Sequence, residues 1–163
     1  MKNLFILLAG MILLWSCSNS EKQSESTNDT PTSEPVVQET SAIEAYMVLK
    51  DALVQTDATL AKEAANTLGS ALSSEEMEAT LIEAAKVIAN SDDVEVQRAS
   101  FKTVTDGLIA SLKANGSEDG IFVQYCPMAF NDTGASWLSL SEEIRNPYFG
   151  DMMLKCGKVE EKL

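Results

Sequence analysis

The fold class this 163-residue sequence predicts is mainly all-α: a four-helix up-and-down bundle, followed by a small irregular C-terminal Cys/Met lobe containing short extended segments. Two observations predict it. From Ser41 to Asn115, apolar residues recur at spacings of three and four in stretches separated by short polar breaks, which is the signature of amphipathic helices. Beyond Gly116 the period shortens to two over "GIFVQYC" and turn residues become frequent, as expected for extended segments in a loop-rich region.

In the first helix Ala42, Tyr46, Leu49 and Leu53 form one apolar stripe. Thr56-Asp57 supplies a break and a cap, and Leu60, Ala64, Leu68 and Leu72 make the second stripe. Ser73 with Glu76 reads as a capping box opening the third helix, each side chain satisfying the other residue's unpaired backbone donor. Met77, Leu81, Ala84 and Ile88 follow as its stripe. Asn90-Ser91 breaks that helix, and Asp92 with Glu95 repeats the cap signal ahead of Val94, Phe101, Val104, Leu108 and Leu112. Asn115-Gly116 ends the run. Loops of a few residues favour antiparallel neighbours, hence the up-and-down arrangement. Met47, Met77 and Phe101 fall at core positions and read as packing residues.

In the lobe, Ile121, Val123 and Tyr125 alternate with Phe122, Gln124 and Cys126 as a strand would. Pro127 has no N–H and ends the pairing. "NDTG" is a turn, after which Ser136-Trp137-Leu138 returns as a second extended piece. Ser139 with Glu142 suggests a last short helix, "NPYFG" carries turn chemistry, and "KVEEKL" is a polar tail. Trp137, Tyr148 and Phe149 are expected to form the lobe's own small core.

The N-terminus sets the compartment. Lys2 precedes an apolar run from Leu4 to Trp15, which reads as the charged and hydrophobic regions of a signal peptide. The run is short of the roughly 20 residues a spanning helix needs. Leu14-Trp15-Ser16-Cys17 resembles a bacterial lipobox, in which cleavage precedes a cysteine that is then lipidated. Residues 1–16 are therefore expected to be a lipoprotein signal peptide, 17–40 the lipidated Cys17 with a disordered Ser/Thr/Glu/Pro tether, and 41–163 the folded domain. The expected location is the bacterial cell envelope, lipid-anchored at a periplasmic or outer-membrane surface, with the membrane reached through the anchor. The formal net charge of -13 and pI near 4.3 argue against a nucleic-acid partner, since phosphate binding relies on Lys and Arg.

The stretch "YCPMAFNDTGASWLSLSEEIRNPYFGDMMLKCG" resembles the signature of a domain family of unknown function in Gram-negative envelope proteins. Its pattern is Cys-Pro-Met, Trp-Leu-Ser, Asn-Pro-Tyr-x-Gly and Met-Leu-x-Cys-Gly. Cys126, Pro127 and Met128 match it, as do Trp137, Leu138 and Ser139, then Asn146, Pro147, Tyr148 and Gly150, and finally Met153, Leu154, Cys156 and Gly157. "YMVLKDALVQTD" in the first helix also resembles the family's opening. Members occur as small lipoproteins and as appendages to periplasmic adaptor subunits of copper and silver efflux pumps, so the resemblance implies a copper/silver efflux assembly or another envelope protein as partner. Cys-Pro-Met is also similar to a heavy-metal-binding motif that continues with histidine; here Ala129 takes that place.

Three cysteines and no histidine limit the chemistry. Lipidation of Cys17 leaves Cys126 and Cys156 as a pair, and outside the cytoplasm such a pair commonly oxidises. The rival reading keeps both reduced and adds the thioethers of Met128 and Met153, with Met152 as a further candidate, to make a soft-metal site for Cu(I). Two free buried thiols are the third possibility. Catalysis is not expected: a cysteine nucleophile needs a histidine base, and Cys-x-x-Cys is absent from the sequence. The sequence thus predicts a non-enzymatic envelope lipoprotein, either a soft-metal accessory or a disulfide-stapled interaction domain.

Overall fold

The computed structural model describes residues 40–117 and 120–163; the readings of residues 1–39 as signal peptide, lipidated Cys17 and tether lie outside them. Four helices come first: α1 (Ala42–Val54), α2 (Ala58–Ser74), α3 (Ala79–Ala89) and α4 (Val94–Asn115). Three strands follow: β1 (Phe122–Cys126), β2 (Ala135–Ser139) and β3 (Lys158–Lys162). The described chain is therefore mainly helical, with a small antiparallel sheet of order β2-β1-β3 at its C-terminal end.

Local chemistry sets the helix ends. Ser41 and Glu44 form a capping box at α1, with Glu44 N donating to Ser41 Oγ at 3.2 Å and Ser41 N to the Glu44 carboxylate at 3.0 Å. Asp57 caps α2 as the sequence predicts, accepting from Thr59 N and Leu60 N. The capping box expected at Ser73 and Glu76 does not form. Ser73 stays inside α2, which closes instead by a Schellman motif: Met77 N donates to Leu72 O at 2.9 Å and Glu76 N to Ser73 O at 3.3 Å, with Glu76 at a φ of 54°. That closure takes up the backbone a new helix would need, so α3 begins only at Ala79 and Met77 lies before it. Helix α1 closes the same way on Thr56, at a φ of 57°. Helix α4 is capped by Asp93, one residue after the expected Asp92, through a bond from Glu95 N at 2.8 Å.

Consecutive helices pack side by side, and the first and last meet through aromatic stacking: the Tyr46 and Phe101 rings lie 4.9 Å apart at 19°. Tyr46 also shares a hydrogen bond with Thr105 of α4 at 2.8 Å, while Leu138 N of β2 donates to its hydroxyl at 3.1 Å. Met47 is buried as expected, whereas Leu60, placed on the second stripe, is exposed. Trp137 and Tyr148 do not form a separate core. The Tyr148 ring lies 5.8 Å from that of Phe101 and 6.2 Å from that of Trp137, and all three belong to one continuous apolar cluster that Phe149 only flanks.

Two further expectations fail in the lobe. The short helix from Ser139 does not form, because Ser139 ends β2 opposite Phe122 and its hydroxyl bonds to Ser141 instead; the helical turn that does occur is a 3-10 turn at Gly150–Met152. The "KVEEKL" tail is β3, paired to β1 with a bulge between Val123 and Gln124. All five of its residues are exposed, which hid the strand period from sequence reading.

Candidate functional site

Cys126 is the last residue of β1, fully buried and opposite the small Ala135 of β2. It shares a face of the sheet with Gln124 and Phe122, since side chains alternate along a strand. Residues 140–157 fold over that face. Gln124 Nε2 donates to Ser141 O at 2.8 Å and to Glu143 O at 3.2 Å. The buried Asn146 clips the other end: its Nδ2 donates to Cys156 O at 2.8 Å, its N–H to Leu154 O at 2.9 Å, and its Oδ1 accepts from Tyr148 N at 2.8 Å. Gly157 is required there, because a Cβ would stand 2.7 Å from the Trp137 ring and 2.9 Å from Tyr125 O.

This clamp places Cys156 Sγ 2.9 Å from Cys126 Sγ. In the dithiol form, the hydrogen bond to Cys126, and secondly burial, pushes the Cys156 thiol up to about 11. Both effects work against a thiolate, the form in which cysteine binds metal. Spacing works against a bridging ion too. Two metal–sulfur bonds of about 2.3 Å at a tetrahedral angle hold their sulfurs about 3.8 Å apart, wider than the observed contact. The contact is also longer than the roughly 2.05 Å of a disulfide bond, so in this structure the two cysteines are free thiols in direct contact.

The methionines lie elsewhere. Met128 is 48% exposed and lines a cleft of about 450 Å³ together with Phe130, Asp132, Phe149, Met153 and Arg98. Neither cysteine lines it. Met152 is 74% exposed and is not part of it either. The four residues read from the sequence as one site therefore separate into two places, the contacting thiols of Cys126 and Cys156 and the cleft that Met128 and Met153 line. Among the described residues no three His, Cys, Asp or Glu side chains converge as a metal site.

One wall of the cleft is an unusual turn at Ala129–Asp132. Phe130, Asn131 and Asp132 have φ values of 52°, 55° and 65°; the cost is about 1–2 kcal/mol at Phe130, while Asn and Asp adopt this region more readily. The turn is held by the buried Ala129, whose carbonyl accepts from Gly134 N at 2.9 Å, and by Thr133 Oγ1 donating to Phe130 O at 2.9 Å. A Cβ on Gly134, at a φ of 80°, would run into the end of the Tyr125 side chain, which would have to move.

Sequence reading missed Arg98, 1% exposed and the main polar tie between the helices and the lobe. Its Nε donates to Pro147 O at 2.9 Å, its Nη2 to Thr56 Oγ1 at 3.1 Å and Leu53 O at 3.4 Å, and its Nη1 to Glu95 at 2.7 Å. A signal was present: 94, 98, 101, 105 and 108 follow helical spacing, so Arg98 lies on the buried stripe of α4.

Residues 42–120 are similar to a protein family of unknown function, DUF3347, whose model they match. The match covers the four helices and stops just before β1, so both cysteines and both cleft methionines lie beyond it. Comparison with curated proteins and with solved structures returned no match.

Proposed function

We propose that this protein is a non-enzymatic cell-envelope lipoprotein, anchored through Cys17, whose C-terminal lobe is an interaction module stapled by a Cys126–Cys156 disulfide. The observation that carries this reading is the 2.9 Å approach of two sulfurs 30 residues apart in sequence, enforced by the Asn146 clip and the glycine at 157. The side-by-side packing of successive helices, with Tyr46 of α1 against Phe101 of α4, supports an up-and-down bundle as the platform for that lobe. Intact-mass measurement of the protein isolated from the envelope tests the staple. The expected mass is two hydrogens below the dithiol, with no uptake of alkylating reagent; a dithiol mass with both thiols alkylated would sink it. Cys17→Ala tests the anchor, and the expected outcome is loss of membrane association in cell fractionation.

A second reading, a soft-metal accessory of a copper or silver efflux assembly binding Cu(I), is favoured by one observation: Met128 and Met153 line a common cleft, with Met128 half exposed. Its cysteine half is the weaker part, given the spacing and the raised Cys156 thiol.

A further inference from the structure

We infer that the cleft between the start of α4 and the left-handed turn binds a soft monovalent cation through the thioether sulfurs of Met128 and Met153, independently of the two cysteines. This deepens the second reading above and replaces its four-sulfur site with a narrower one. The first support is exposure. A large apolar side chain left 48% exposed at a cleft, rather than in the core, is available to a ligand. Thioether sulfur is soft and neutral, and it selects Cu(I) and the chemically similar Ag(I) over hard cations.

Charge supplies the second support. The cleft is lined by two carboxylates, Glu95 and Asp132, and one guanidinium, Arg98. Arg98 is held by Pro147, Leu53, Thr56 and Glu95, so Glu95 and Arg98 offset each other and the negative charge of Asp132 remains. Against a net charge of -13 for the chain, a cation is the favoured visitor. One uncompensated carboxylate is too few for Ca²⁺, which takes six to eight oxygens.

Strain supplies the third. Three successive non-glycine residues in the left-handed region, Phe130 to Asp132, follow Met128 after Ala129 and line the same cleft as far as Asp132. Such conformations persist where surrounding contacts over-determine them, and they cluster at ligand sites.

Binding by this route forms two dative bonds, each sulfur giving a lone pair to the ion; no bond breaks, no proton leaves and no oxidation state changes. Binding by thiols would release protons. That difference makes the test. The full-length protein is titrated with silver(I) nitrate in chloride-free solution at constant pH, with bound silver and released acid measured together. The expected result is one equivalent bound without acid release, unchanged in Cys126→Ala/Cys156→Ala. Met128→Leu/Met153→Leu should bind on the order of tenfold more weakly or worse, the range caused by losing even a supporting contact at a metal site, with its melting temperature unchanged. Acid release, with uptake lost in the cysteine variant, overturns the inference, as does equal affinity in the methionine variant. If the cysteine variant does not fold, oxidised wild type replaces it. The redox state of the cysteines is read by mass before titration, so failure of the staple and failure of the cleft are seen separately.

Discussion

The thiol of Cys156 gives the reduced protein a distinctive pH dependence. Its pKa is raised from 9.0 to about 11 by the hydrogen bond to Cys126 and by burial, so the folded dithiol holds this proton more tightly than the unfolded chain does. The resulting stability is fully present below about pH 9 and is lost as pH rises toward 11. Urea midpoints of reduced wild type should therefore fall relative to Cys156→Ser across that window. Tyr46 and Tyr148, also raised by burial, shift both proteins alike and cancel in the comparison. An equal fall in both proteins would refute the shift. Arg98 yields a second expectation. Arg98→Met leaves the carbonyl of Pro147 without its donor, at about 1–3 kcal/mol for a buried group, whereas Leu53 O keeps the bond from Thr56 N at 3.1 Å. Arg98→Lys should recover only part of this, because an ammonium cannot reproduce the planar fork of donors. Equal urea midpoints for Arg98→Lys and wild type would count against that role. At this scale the sequence marked Cys126, Cys156, Met128 and Met153 by chemical type. The cysteine count already paired Cys126 with Cys156; what it could not show is that Met128 and Met153 line a cleft away from that pair, because this depends on the path of residues 140–157 over the sheet.

At the scale of elements, the helices were legible because their apolar stripes are local, and the ends were less so. Two helices close on left-handed Thr56 and Glu76 where glycine is usual. Thr56 is held by Arg98 and lies against Gly150, whose own φ is 55°. A Cβ at residue 150 would lie 2.3 Å from Thr56 Oγ1 and 3.0 Å from Val54 O. Gly150→Ala is thus expected to destabilise by more than the left-handed penalty alone, about 1–2 kcal/mol. Thermal unfolding checks it, and a change below 0.5 kcal/mol, about the size of an ordinary surface substitution, would show that the close approach carries no energy. Strand β3 escaped notice for a physical reason: all five of its residues are exposed, so no alternation records its pairing. Its Lys and Glu side chains also suit an edge that must not pair further.

Across the whole molecule, helices and lobe share one apolar cluster, so they should unfold in a single transition. Reducing the cystine expected at Cys126 and Cys156 removes a cross-link between residues 30 apart, worth about 3–4 kcal/mol in the chain-entropy model. The urea midpoint should drop accordingly while the transition stays single. Two resolved transitions would mean that the lobe is an independent unit. The bonds of Arg98 have one more consequence, in the order of events. Its partners Pro147, Leu53 and Thr56 lie 49, 45 and 42 residues away, whereas successive helices meet across loops of only a few residues. Long-range closures are slow because the chain entropy they cost precedes any contact they gain. Successive helices are therefore expected to pair before Arg98 joins either α1 or the lobe, closures of nearly equal sequence separation, so this one guanidinium ties together the late steps in making the native protein.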